Sequence, residues 1–124
     1  MTTIRYFSLG RFAMKQALVA CGVGENDSVL LPSFICRDVL AAINELGAKA
    51  TFYDVSKKLE PIGLDSAPTS KAIIAVNYFG FPQSLEPFKK YCASSGAKII
   101  EDNAHGFLSR DTDNQLLGQR TEYG

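Results

Sequence analysis

The chain has 124 residues, 46% of them hydrophobic, with 13 Lys and Arg balanced by 13 Asp and Glu. That length suits one domain with one core, and that apolar fraction excludes a globally disordered chain. Zero net charge gives no pull toward nucleic acid or an anionic membrane, and no apolar run approaches the ~20 residues of a membrane span.

Residues 1–9 read as extended and weakly patterned. They lack the continuous apolar core after a basic start that marks a secretory signal. Gly10 then leads into Arg11–Cys21, where apolar residues at 13, 14, 17, 18 and 21 predict an amphipathic helix. Gly22 and Gly24 end it, and Ser28–Leu31 is a short strand closed by Pro32. A second helix is expected over residues 36–46, with Val39, Leu40, Ile43 and Leu46 on one face and Gly47 as its cap. Residues 50–55 form a strand, and residues 56–70 carry too many Pro, Gly and polar residues to force structure on them. Lys71–Phe79 holds the fully apolar run Ala-Ile-Ile-Ala-Val, a buried strand. Ser84 is expected to cap a helix through 85–95, and Ala97–Asp102 is the last strand. Residues 107–124 read as a polar hairpin or loop. Strands alternating with helices predict an α/β domain with a mostly parallel open sheet and flanking helices. No helix follows the last strand to cover it. The chain therefore reads as part of a larger domain, or as one whose sheet a partner completes.

Cys21, Cys36 and Cys92 are odd in number and widely spaced, so they make neither a disulfide framework nor a metal knuckle. Each is expected to be a small buried hydrophobe, and a reducing cytoplasm is the expected setting. One histidine cannot build a multi-histidine zinc site, and no Gly-x-Ser-x-Gly elbow is present.

The residues that could carry chemistry gather at strand ends and one helix start. Gly10 ahead of a helix leaves unpaired amides that suit an anion, although the plainer reading of Gly10 alone is a flexible helix start. Asp102, at the carboxyl edge of the last strand, could hold a cationic ring nitrogen, and His105 could hydrogen-bond a ligand. The plainer alternative is that Asp102 caps the next turn and His105 is solvated. Asn77 lies at the exit of strand 71–78, and Ser33–Cys36 at the exit of strand 28–31. In this topology all of them meet on the edge where open sheets bind ligands.

The order of these motifs resembles the DegT/DnrJ/StrS sugar aminotransferases, fold type I enzymes that use pyridoxal phosphate. Gly10-Arg11-Phe12-Ala13-Met14 with Ala17-Leu18 resembles the family's Gly-Thr-x-Ala-Leu helix start. Gly22–Phe34 resembles its Gly-Ile-Gly-Pro-Gly-Asp-Glu-Val-Ile-Val-Pro-Ser-Phe. Gly47–Val55 resembles Gly-Ala-x-Pro-x-Phe-x-Asp-Val, and Lys71–Gly80 resembles Lys-Ala-Ile-Ile-Pro-Val-His-Leu-Tyr-Gly. Glu101-Asp102-Asn103-Ala104-His105 resembles Glu-Asp-Ala-Ala-Gln/His.

The resemblance implies that Asp102 pairs with the pyridinium nitrogen of pyridoxal 5'-phosphate and that His105 lies beside the ring. It implies that Gly10, Arg11 and Phe12 bind the cofactor phosphate. Cys36 stands where many members place a stacking aromatic, and Asn77 where many have histidine. Arg11 replaces a small hydroxyl residue, so phosphate contacts would rest on backbone amides and the guanidinium. Gln119–Gly124 resembles the segment that precedes the next strand in full-length members. None of the lysines matches the context of the family's Schiff-base lysine.

Residues 1–124 are therefore expected to be a single partial large domain. It lacks the lysine segment and the C-terminal small domain, and alone it does not transaminate. The parent reaction moves an amino group, typically from glutamate, to a keto sugar nucleotide, and a homo-oligomer, as a homodimer, is implied. A non-catalytic binding or assembly module derived from the family is the alternative. A flavodoxin-like nucleotide binder, with phosphate at Gly10 and no role for Asp102, is a third reading.

Overall fold

The computed structural model describes residues 3–124. Residues 1 and 2, the start of the extended stretch and of the segment read as no secretory signal, lie outside them. Three helices, α1 (Gly10–Ala20), α2 (Arg37–Glu45) and α3 (Glu86–Ser95), alternate with strands β1 (Ser28–Pro32), β2 (Lys49–Val55), β3 (Pro61–Ile62), β4 (Ala72–Val76) and β5 (Lys98–Asp102). The strands form one sheet in the order β3-β2-β1-β4-β5. β1, β2, β4 and β5 are parallel, and only β3 runs antiparallel, on the edge beside β2.

The central strands alternate between two apolar faces. Val29, Leu31, Ile74 and Ile100 face α1 and α2, meeting Met14, Leu18, Val39 and Ile43. Leu30, Ile73 and Ala75 face α3, meeting Phe88 and Tyr91. All five residues of β4 are buried, as a strand covered on both faces requires. Tyr53 fits the α3 face because its hydroxyl donates to the Ile74 carbonyl at 2.7 Å.

Several boundaries shift from the sequence reading. The strand expected over 71–78 ends at Val76, and Tyr78–Gly80 is a short 3-10 turn. The stretch left open over 56–70 contributes β3 and a one-turn 3-10 helix, Leu64–Ser66. α3 begins at Glu86, and its N-cap is Leu85 with no side-chain cap bond, so Ser84 does not cap it. Cys36 is exposed and Cys92 half-buried, so only Cys21 is the buried hydrophobe expected of all three. Residues 107–124 do fold back as a hairpin-like segment: Arg110 bridges Leu116, and Tyr123 lies parallel to Ile100 on the outer edge of β5.

Candidate functional site

The strand order places a switch point between β1 and β4. The chain leaves β1 for α2 on one face and leaves β4 for α3 on the other, the arrangement in which open α/β sheets take ligands beyond the carboxyl ends of their strands. Two residues from the β4 exit join the neighbouring loops at this edge. The Tyr78 hydroxyl donates to the Phe34 carbonyl at 2.7 Å, and the two rings stack with centroids 5.5 Å apart. On the other side, the Phe79 N–H donates to His105 Nδ1 at 3.3 Å, and those rings stack at 5.8 Å. The exits of β1, β4 and β5 are thus joined by direct contacts.

Asp102 closes β5, paired in register with Val76. It follows Ile100 by two, so it belongs to the α1/α2 side of the sheet. One carboxylate oxygen, Oδ1, accepts the Ala104 N–H at 3.1 Å. The turn-capping role is therefore real, and it occupies one oxygen of two. Burial first, and then the Asp102 charge, push the Tyr78 phenol up to about 12. Tyr78 thus stays a neutral donor to Phe34 while sharing its surroundings with a carboxylate.

Gly10, Arg11 and Phe12 are exposed at the amino end of α1. Leu9, in extended conformation, supplies no side-chain cap. A short turn joins the other end of α1 to β1, where Gly22 lies against Lys71 at the amino edge of the sheet. Eleven helical residues rise about 16 Å, which carries Gly10 toward the carboxyl edge. A Cβ at Gly10 would meet nothing within 4 Å, and the Arg11 guanidinium lies over the Phe12 ring at 5.2 Å. Cys36 is the exposed N-cap of α2, also at this edge.

Asn77 sits differently. It is 1% exposed, and both ends of its amide are engaged. Its Nδ2 donates to Glu101 Oε1 at 2.9 Å and to Asn103 Oδ1 at 3.3 Å. Its Oδ1 accepts from the Gln83 N–H at 2.9 Å and from Arg120 at 3.1 Å. The residue is turned into the protein on the α3 side.

That neighbourhood is a buried polar cluster the sequence reading missed. Glu101 is 1% exposed, and its carboxylate accepts the Arg120 Nε–H at 2.7 Å and the Arg120 main-chain N–H at 3.1 Å. Arg120 also donates to the Gln83 carbonyl at 3.1 Å and stands 3.7 Å from Asp111. Among the described residues, no fully buried side-chain N or O lacks a hydrogen-bond partner. One guanidinium so ties the hairpin-like segment to the exits of β4 and β5. The signal was present: a glutamate in a strand buried on both faces requires a cation and full hydrogen bonding.

A model of the DegT/DnrJ/EryC1/StrS aminotransferase family matches residues 7–122. The chain belongs to that family. Among solved structures, the aminotransferase TlmJ from Streptoalloteichus hindustanus is 28% identical, with a TM-score of 0.74 over 88% of this chain and 31% of that one. DesV from S. venezuelae is 27% identical, with a TM-score of 0.70 over 78% of this chain and 28% of that one. The PLP form of a putative sugar aminotransferase from Streptococcus pneumoniae is 21% identical. It shares the fold with a TM-score of 0.77 over 90% of this chain and 33% of that one. The family's mostly parallel sheet with flanking helices is the fold observed here, and the chain spans a third or less of these relatives' length. Among the described residues, no helix is long and apolar enough to cross a membrane.

Proposed function

We propose that residues 1–124 carry part of the pyridoxal 5'-phosphate site of an aminotransferase acting on keto sugar nucleotides, and that the chain alone does not transaminate. The observation that carries this reading is Asp102 at the switch-point edge, one carboxylate oxygen spent on the Ala104 turn and the other left to a ligand. These residues fit the cofactor in kind. A carboxylate suits a protonated ring nitrogen, and an uncapped helix start beside a basic side chain suits a phosphate. When bound, the cofactor supplies an electron sink for a substrate carbanion. In this reading Asp102 keeps the ring nitrogen protonated, His105 lies beside the ring, and Gly10, Arg11 and Phe12 hold the phosphate. Cys36 packs at the edge. Asn77 contributes from behind, by fixing the β4 and β5 exits rather than by touching the ligand. Residues 1–124 form one partial large domain, and the anchoring lysine and a small domain come from outside it.

The expected setting is the cytoplasm and the expected assembly a homodimer. Phe34, Phe79, Phe81, Phe107 and Leu108, each more than half exposed at the exits of β1, β4 and β5, support a covering partner. The same patch favours the second reading, a non-catalytic assembly module of family origin. Pyridoxal phosphate titration separates the two. Asp102→Asn is expected to weaken binding about ten- to a hundredfold, as loss of a charge-assisted hydrogen bond does. No measurable binding by the parent chain favours the module. Borohydride reduction followed by intact mass tests the missing lysine, and a stoichiometric adduct on one lysine would sink that part of the proposal.

A further inference from the structure

His105 is the only histidine in the chain, and its ring is held by the main chain of another loop. A neutral imidazole carries one N–H donor and one acceptor nitrogen, and the hydrogen bond made by one nitrogen fixes the state of the other. Here Nδ1 receives the Phe79 N–H at 3.3 Å, so Nδ1 is the acceptor. A second contact fixes the orientation: the Phe79 and His105 rings stack at 5.8 Å with planes 18° apart. The backbone is committed to this arrangement. Phe79 adopts φ 56° and ψ 20°, a left-handed conformation that is costly for an aromatic residue and persists only where surrounding structure enforces it. The next residue, Gly80, has φ 83° and lies so close to the 105–106 backbone that a Cβ there would stand 3.0 Å from the His105 carbonyl. The two loops are fitted main chain to main chain.

We propose that the Phe79 amide is a positioning group that locks neutral His105 in the Nε2–H tautomer, so that the site offers a hydrogen-bond donor and not a base. The ligand chemistry this selects is an acceptor atom, a carbonyl, phenolic or anionic oxygen. A group that must lose a proton to His105 finds no vacant nitrogen. The inference builds on the placement of His105 beside the ring in the proposed site, yet the tautomer is a property of the free chain and can be read without any ligand.

The experiment uses ring-15N-labelled histidine, which gives one pair of signals because there is one histidine. At a pH where the ring is neutral, Nδ1 should show the shift of an unprotonated nitrogen and Nε2 that of an N–H, with the Phe79 amide coupled to Nδ1. A hydrogen bond of ordinary net strength biases the tautomer ratio about fivefold over free imidazole. Phe79→Gly keeps the N–H, removes the left-handed strain and should retain the Nε2–H form. A semisynthetic chain with an ester at the residue-79 linkage lacks that N–H, and its ratio should fall to that of free imidazole. Protonated Nδ1 in the parent chain, or an unchanged ratio in the ester, would overturn the proposal. Pyridoxal phosphate is then added to the labelled chain. An unmoved Nε2 signal counts against the cofactor reading and leaves the tautomer result standing.

Discussion

Removing the Arg120 guanidinium would leave the Glu101 carboxylate in a space that excludes water. Breaking a buried, hydrogen-bonded pair in this way costs about 3–5 kcal/mol. Arg120→Met is therefore expected to lower the urea midpoint steeply, or to unfold a domain whose total stability is of that order. Glu101→Leu combined with Arg120→Met should recover part of the loss, because the charge is removed along with its partner. Recovery stops short of complete, since Asn77 Oδ1 also accepts from Arg120. A double variant no better than Arg120→Met alone would contradict this account of the cluster. At this scale the sequence was only partly legible. Asp102 and His105 stood out because a motif frames them. Glu101 stands in the same motif, but its partner lies 19 residues away in a segment with no periodic pattern. Asn77 shows the limit from the other side. Its place at a strand exit is visible in the sequence, but the direction of its amide is set by Gln83 and Arg120 from two other segments.

The elements were more legible than their joints. β4 announces itself because a strand buried on both faces is apolar throughout, β5 through the short apolar run Ile99-Ile100 behind a helix-ending glycine, and α1 and α2 because their apolar residues return every three or four positions. β3 was not visible, since two residues carry no alternation. The turn after β4 was not visible either, since it depends on the loop it packs against. That packing makes Gly80 irreplaceable in a way Gly10 is not. Gly80→Ala meets both a positive φ of 83° and the His105 carbonyl, and should cost about 1–3 kcal/mol. Gly10→Ala enters open space in a helical residue and should leave stability unchanged or raise it by about 0.5–1 kcal/mol. Chemical denaturation of the two variants beside the parent checks the contrast, and equal losses would refute it.

Across the whole molecule, the thiols link folding to alkaline pH. Cys21 and Cys92 both have pKa values raised from 9.0 to about 11, chiefly by burial. The folded chain holds these protons more tightly than the unfolded chain does. Stability is therefore untouched by them below about pH 9 and declines as the pH rises toward about 11. Urea midpoints should fall between about pH 9 and pH 10.5, and a Cys21→Val, Cys92→Ala variant should flatten the decline. An equally steep decline in that variant would assign the effect elsewhere. The Arg120 cluster has a consequence in time as well as in space. Its acceptors, Asn77, Gln83 and Glu101, precede Arg120 by 43, 37 and 19 residues. On the ribosome β4, α3 and β5 are synthesised before Arg120, the cation that hydrogen-bonds Glu101. Without Arg120 the Glu101 charge opposes burial of β5, so stable docking of that edge strand depends on the hairpin-like segment that follows it.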